Sequence, residues 1–134
     1  AVGQRLVRRL REDAREEYTL SASEKAALGK HADLDAILAA MKDEGVVNAS
    51  ATWNSIPFYR PREGVEDAYK GISGIHEVLT ISSTLKEMIM NSKTADAIET
   101  QARSEGMLTM LEDGIYKAAR GVTAIEEVLR VINE

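Results

Sequence analysis

Apolar residues at the start of the chain, Val2, Leu6, Val7 and Leu10, recur at helical spacing, with Arg5, Arg8, Arg9, Arg11 and Arg15 set between and after them. The pattern predicts a first helix over about Val2–Glu17, its arginines forming a solvated face or, on the sharper reading, a contact for an acidic partner or phosphate. Ser21 and Glu24 have the S-x-x-E spacing of a capping box, so a short helix should begin near Ser21 and end by Gly29. Leu34, Ile37, Leu38 and Met41 form the stripe of a second helix that Gly45 can stop. Residues 20–45 therefore read as a helical hairpin.

The texture changes from Val46 to Ile81, where Trp53, Phe58, Tyr59 and Tyr69 appear together with Pro57, Pro61 and the glycines Gly64, Gly71 and Gly74. Thr52–Arg60 reads as an extended edge segment, because Pro57 has no N–H to give a ladder. Gly74–Ile81, bounded by glycine and by Ser82-Ser83, reads as a buried strand pairing with it across a charged loop, Pro61–Lys70.

Helix signals then return. Thr84 with Glu87, Thr109 with Glu112 and Thr123 with Glu126 each have T-x-x-E spacing, while Gly106 and Gly121 follow stretches whose periodicity stops. The last helix carries Ile125, Val128, Leu129 and Ile132 on one stripe and Glu126, Glu127, Arg130 and Glu134 elsewhere on its wheel. The preceding one carries Leu108, Leu111, Ile115, Ala118 and Ala119; Gly114 within it costs about 1 kcal/mol relative to Ala, which hints at a close approach by a neighbouring helix or chain. The expected fold is α+β and mainly helical: a helical insertion with a short antiparallel β pair, then a C-terminal bundle of three to four helices.

Composition narrows the classes. The chain has 134 residues, 44% of them hydrophobic, 17 Lys and Arg against 22 Asp and Glu, and no cysteine. A chain this long hides roughly two-thirds of its unfolded surface and needs no staple. Disulfides are impossible, and a cysteine-free acidic chain suits a reducing cytoplasm. No apolar run approaches the ~20 residues of a membrane span, and arginines interrupt any signal-peptide core in Ala1–Leu10. A net charge of −5 disfavours a general nucleic-acid binder. Helical spacing that begins at Val2, without an initiator Met or a cap, suggests a piece of something longer.

Little local chemistry is written in the chain. G-x-x-x-x-G-K-[ST] is absent, so phosphate has no cradle, and without Cys or a nucleophile elbow His31 and His76 read as structural. His31, Asp33 and Asp35 form an H-x-D-x-D string, but it opens a helix, where Asp is favoured by the dipole. Glu77, next to His76 on a strand, would point to the opposite face. Met88, Met90, Met107 and Met110 could line a groove for a partner helix, as in a free-standing adaptor; core filling is the plainer reading. A small metalloenzyme built on His31, His76 and nearby carboxylates is a further alternative. No catalytic, cofactor-binding or metal-binding residue is assigned.

The order of motifs says more than any one of them. Gln4–Leu10 (QRLVRRL), Glu16-Glu-Tyr18, Tyr69-Lys-Gly71, Gly74–Leu79 (GIHEVL), Glu105-Gly-Met107, Leu111–Gly114 (LEDG) and Gly121–Val131 (GVTAIEEVLRV) together resemble the carboxyl end of the secretion ATPases of type II secretion systems and type IV pilus assembly. Pilus assembly is the preferred branch. The resemblance implies a cytoplasmic homohexameric motor at the inner face of the cytoplasmic membrane, peripheral to it through partners only. Its ATP and Mg are held upstream, it acts on an inner-membrane platform protein, and it binds no nucleic acid. Residues 1–19 would close the ATPase core and connect it by a helix, 20–70 would be the counterpart of a zinc-binding insertion, and 71–134 a strand plus a helical subdomain. This piece would be non-catalytic and would contribute to hexamer packing and coupling. Two departures stand out. Arg11 and Ala14 occupy the place of the first C-x-x-C pair, and Pro61–Ala68 holds no second one, so packing around Trp53, Phe58 and Tyr59 in residues 33–60 would replace the zinc. Ile72-Ser73 follows Y-K-G where relatives tend to have Arg, so no role of that Arg is carried over.

Overall fold

The computed structural model describes residues 2–78 and 82–134. In chain order it has β1 (Val2–Leu10), a 3-10 turn (Glu12–Ala14), β2 (Arg15–Tyr18), α1 (Ala22–Gly29), α2 (Leu34–Asp43), β3 (Phe58–Pro61), β4 (Tyr69–Val78), α3 (Ser83–Met90), α4 (Ala95–Ser104), α5 (Met110–Ala119) and α6 (Ile125–Ile132). The α+β, mainly helical class stands.

The first segment corrects the expectation of a helix over Val2–Glu17, for it is two strands. β1 pairs antiparallel with β4 from Val2 opposite Val78 to Arg8 opposite Ile72, and an irregularity shifts the register before Leu10 meets Tyr69. Val7 and Ile75 are fully buried on the inner face while Leu6, next in sequence, is 52% exposed. Four apolar residues in nine satisfy helical and strand patterns alike, and a partner strand far along the chain decides between them. The arginines are correspondingly not one solvated helical face. Arg5 donates to the Val131 carbonyl (3.0 Å) and Arg15 to that of Gly121 (2.6 Å), and Arg15 also lies over the Tyr59 ring.

The predicted strand pair is also re-partnered. β3 pairs with β2, Arg15 opposite Pro61 and Tyr18 opposite Phe58, rather than with β4. It covers only Phe58–Pro61: Pro57 precedes the strand and residues 53–55 form a turn, so the extended segment expected over Thr52–Arg60 is confined to its end. The strand expected over Gly74–Ile81 starts earlier, at Tyr69; its last three positions lie outside the described residues.

Local signals fared better. α1 has the Ser21–Glu24 box, with Glu24 N–H donating to Ser21 Oγ (3.2 Å) and Ser21 N–H to Glu24 Oε1 (2.9 Å). α5 has the Thr109–Glu112 box, and Gly45, Gly106 and Gly121 all take positive φ. Two boxes are replaced. Ser82 caps α3 through Leu85 N–H (3.1 Å), which puts Thr84 inside the helix, and α6 starts at Ala124 with no side-chain cap.

Three cores result. The largest gathers Phe58, Ile37, Met41, Ile56 and Trp53, all between β2 and β4 in the chain, against Ile115 and Ala118 of α5. Trp53 stacks on Phe58 with centroids 5.8 Å apart and donates to the Leu34 carbonyl (3.2 Å). Tyr59, next along β3, points away into a smaller cluster of Leu10, Ala14, Ala68 and Ala124. A third core joins Val7 and Ile75 to Val128 and Val131 of α6. The close approach hinted at by Gly114 is that of α6: a Cβ at Gly114 would lie 2.4 Å from Val128 Cγ1.

Candidate functional site: a strand pair held by the last two helices

A two-stranded ribbon leaves two rows of backbone groups without a ladder partner. Here side chains of α5 and α6 serve them. On the β4 side, Asp113 and Lys117 stand one turn apart on α5: Asp113 Oδ2 accepts from His76 N–H (2.8 Å), and Lys117 Nζ donates to the Gly74 carbonyl. The two are themselves paired at 3.1 Å, and the His76 ring lies beside them, Nδ1 3.4 Å from Lys117 Nζ and 3.8 Å from Asp113. Glu77, on the other face of the strand, accepts from Met110 N–H (3.3 Å) at the start of α5.

On the β1 side, Arg8 N–H donates to Glu127 Oε2 (2.8 Å) and the Arg8 carbonyl accepts from Thr123 Oγ1 (2.8 Å), while Leu10 N–H reaches the Val122 carbonyl (2.9 Å). Glu127 is buried to 2% exposure, yet it collects both guanidiniums nearby, those of Arg8 (2.9 and 3.1 Å) and Arg130 (both 3.0 Å). Burial pushes a carboxyl upward and is the largest single influence; the hydrogen bonds from Arg130, the Arg8 side chain and the Arg8 amide together outweigh it and hold Glu127 at about 2. The Arg8 guanidinium also lies 4.3 Å over the Tyr69 ring.

Glu112 performs a related task one helix earlier. Fully buried, it accepts from Thr109 N–H (2.9 Å) through one oxygen and from Asp33 N–H (2.6 Å) and Arg103 (2.9 Å) through the other, so it fastens α5 to the α1–α2 turn and to α4.

Glu127 and Thr123 are what sequence reasoning missed. Thr123 looked like a cap and Glu127 like the solvated side of α6. The available signal was spacing: Glu127 lies three after Ala124 and four before Val131, both buried, whereas Glu126 lies four before exposed Arg130. The other candidates separate. Asp33 spends its carboxylate capping α2 through Ala36 N–H (3.0 Å), and His31 is exposed. Met110 fills the Val7–Ile75 core, whereas Met107 borders a depression of about 380 Å³ with Ala36, Ala39 and Ala40. Met88 borders neither.

The arrangement ties β1 and β4, at both edges of the ribbon, to α5 and α6.

Residues 1–130 match the family described as Type II/IV secretion system protein. The chain is 46% identical over 61 residues to a type IV pilus assembly ATPase PilB of Thermus thermophilus, covering 46% of this chain and 7% of that protein. It is 44% identical over 78 residues to a type II secretion system protein E of Xanthomonas campestris, covering 57% and 14%. Against the type II secretion system protein E of Aeromonas hydrophila it is 30% identical over 137 residues, covering 99% of this chain and 23% of that one. The chain thus spans less than a quarter of the length of these relatives. With its family match running from the β1 strand through the Glu127–Arg130 cluster, the chain belongs to the type II/IV secretion system proteins.

Proposed function

We propose that this chain is the non-catalytic C-terminal region of a type IV pilus assembly ATPase, or of its type II secretion counterpart, and that it couples ATP hydrolysis upstream to an inner-membrane platform protein. The observation that carries this reading is the double-edged hold on the β1–β4 ribbon: Asp113 and Lys117 on one side, Thr123 and Glu127 on the other. A strand pair fastened so completely transmits displacement instead of absorbing it, because packed elements move as bodies.

The helix starts support the non-catalytic part. A phosphate cradle needs N-terminal amides that face an anion. The first turns of α1, α2, α4, α5 and α6 carry their own carboxylates: Glu24, Asp35, Asp96, Glu112 with Asp113, and Glu126 with Glu127. In this reading ATP and Mg belong to a part of the protein upstream of this one. Among the described residues no helix is long and apolar enough to cross a membrane, and the working place is the cytoplasmic face of the inner membrane, reached through partners. Those partners are other copies in a homohexamer and the platform protein.

Two measurements test the reading. The 134-residue chain is expected to show neither ATP binding by calorimetry nor turnover, and robust turnover overturns the non-catalytic assignment. In the intact parent, photocrosslinkers at exposed Ile72 and Met90 are expected to capture further copies or an integral membrane protein; capturing neither overturns the coupling role.

A further inference from the structure

The family resemblance implies zinc at the neck of the insertion, held by four thiolates in two C-x-x-C pairs. In the first segment those places are Arg11 and Ala14; the second pair would fall within Pro61–Ala68, shortly before Tyr69, and that stretch holds no cysteine. The donor set does not fit the thiolate knuckle, since the Arg11 guanidinium stays protonated, the Ala14 methyl has no lone pair to give and Pro61–Ala68 offers no sulfur.

The two segments nevertheless meet. Arg11 N–H donates to the Ala68 carbonyl and Arg62 N–H to that of Ala14, both at 2.8 Å. Ala14 and Ala68, at 2% and 4% exposure, share one buried cluster, and Val65 packs against it. The side chains then cross in both directions. Arg11 Nη1 reaches over to the Asp67 carbonyl (2.6 Å) while its Nη2 holds Asp13 of its own segment (2.8 Å). Arg62 reaches back to the carbonyls of Asp13 (3.4 Å) and Arg15 (3.3 Å).

We propose that a reciprocal arginine clasp, Arg11 and Arg62 over the Ala14–Ala68 contact, closes the neck of this insertion in place of a metal knuckle. One guanidinium offers five donors in a rigid fork, enough to serve acceptors in two segments at once, and it brings the fixed positive charge that a cation would. The consequence is a change of dependence. A thiolate knuckle makes folding conditional on metal supply and on reduced sulfur, whereas this closure needs neither and responds to neither chelator nor oxidant. Burial of Phe58, Ile37, Met41 and Trp53 holds the body of the insertion beyond that neck.

The test uses the whole chain. Its melting temperature is expected to be the same in EDTA and in added zinc, with no stoichiometric zinc in the purified protein by elemental analysis. Amide exchange then reads the clasp: Arg11→Met is expected to speed exchange at the Arg62 amide about tenfold, the scale of a lost charge-assisted hydrogen bond. The reciprocal Arg62→Met should do the same at the Arg11 amide, so one soluble variant suffices. Melting that drops on chelation, zinc that co-purifies one to one, or exchange left unchanged in the variants would each overturn the proposal.

Discussion

One oxygen of Glu127 accepts the backbone N–H of Arg8 at 2.8 Å while its other oxygen accepts the same residue's guanidinium at 2.9 Å, so a single carboxylate serves both an edge amide of β1 and that residue's charge. Glu127→Ala would leave the Arg8 amide without its partner and two guanidiniums without their counterion. Breaking a buried pair costs about 3–5 kcal/mol. Arg8 and Arg130 are about half exposed, which discounts the figure, so the expected loss is about 2–3 kcal/mol in urea unfolding. Glu127→Gln keeps an acceptor for the amide and should lose about 1–2 kcal/mol.

The same group predicts an acid-side loss of stability. Its folded value, about 2, lies below the usual 4.5, so its contribution is complete above about 4.5 and disappears as pH falls toward 2. That difference corresponds to at most about 3 kcal/mol. Unfolding free energy measured from pH 6 to pH 2 should fall in that window, and Glu127→Gln should flatten part of the fall. An unchanged profile in the variant would assign the acid sensitivity to other carboxylates.

What could be read beforehand depended on range. Ser21, Asp33, Gly45 and the Thr109–Glu112 box act within one turn of themselves, and each did what its spacing implied. β1 could not be read the same way, because its conformation is decided by β4, whose Ile72 lies opposite Arg8 and Ile75 opposite Arg5. Thr123 failed for a related reason: its hydroxyl is turned to the distant Arg8 carbonyl, to which it donates, and α6 begins on Ala124 without a side-chain cap. Trp53 and Phe58 were recognisable as a core, but Tyr59 was not separable from them, since alternation along β3 sends it to the opposite side. The hold on the ribbon had no local signature: Arg8 meets Thr123 and Glu127 across more than a hundred residues.

Gly114 should resist the smallest substitution. Helix propensity favours Gly114→Ala by about 1 kcal/mol, but the new Cβ would lie 2.4 Å from Val128 Cγ1 and 3.2 Å from Cγ2. Overpacking of this kind costs about 1–3 kcal/mol, and a contact as short as 2.4 Å belongs at the upper end, so the net expectation is a loss of up to about 2 kcal/mol. Val128→Ala in the Gly114→Ala background should recover part of it. A double-mutant cycle by thermal unfolding checks this, and additive losses would show that α5 and α6 have separated instead.

On the opposite edge, Asp113 and Lys117 together mimic a neighbouring strand, one accepting from His76 and one donating to Gly74. Asp113→Ala removes the acceptor of a partly buried amide and the i,i+4 partner of Lys117, for an expected loss of about 1–2 kcal/mol. Lys117→Met removes the donor but lets the Gly74 carbonyl find water, so it should lose less than 1 kcal/mol. The more telling readout is association. With Asp113 and Lys117 both replaced, β4 presents His76 N–H and the Gly74 carbonyl as a ladder edge beside exposed Ile72, the arrangement that invites edge-to-edge pairing. The double variant should therefore associate with rising concentration in sedimentation velocity, whereas a variant at Arg130, far from that edge, should lose stability without associating. A double variant that sediments as the parent does would mean that these side chains stabilise β4 without guarding it.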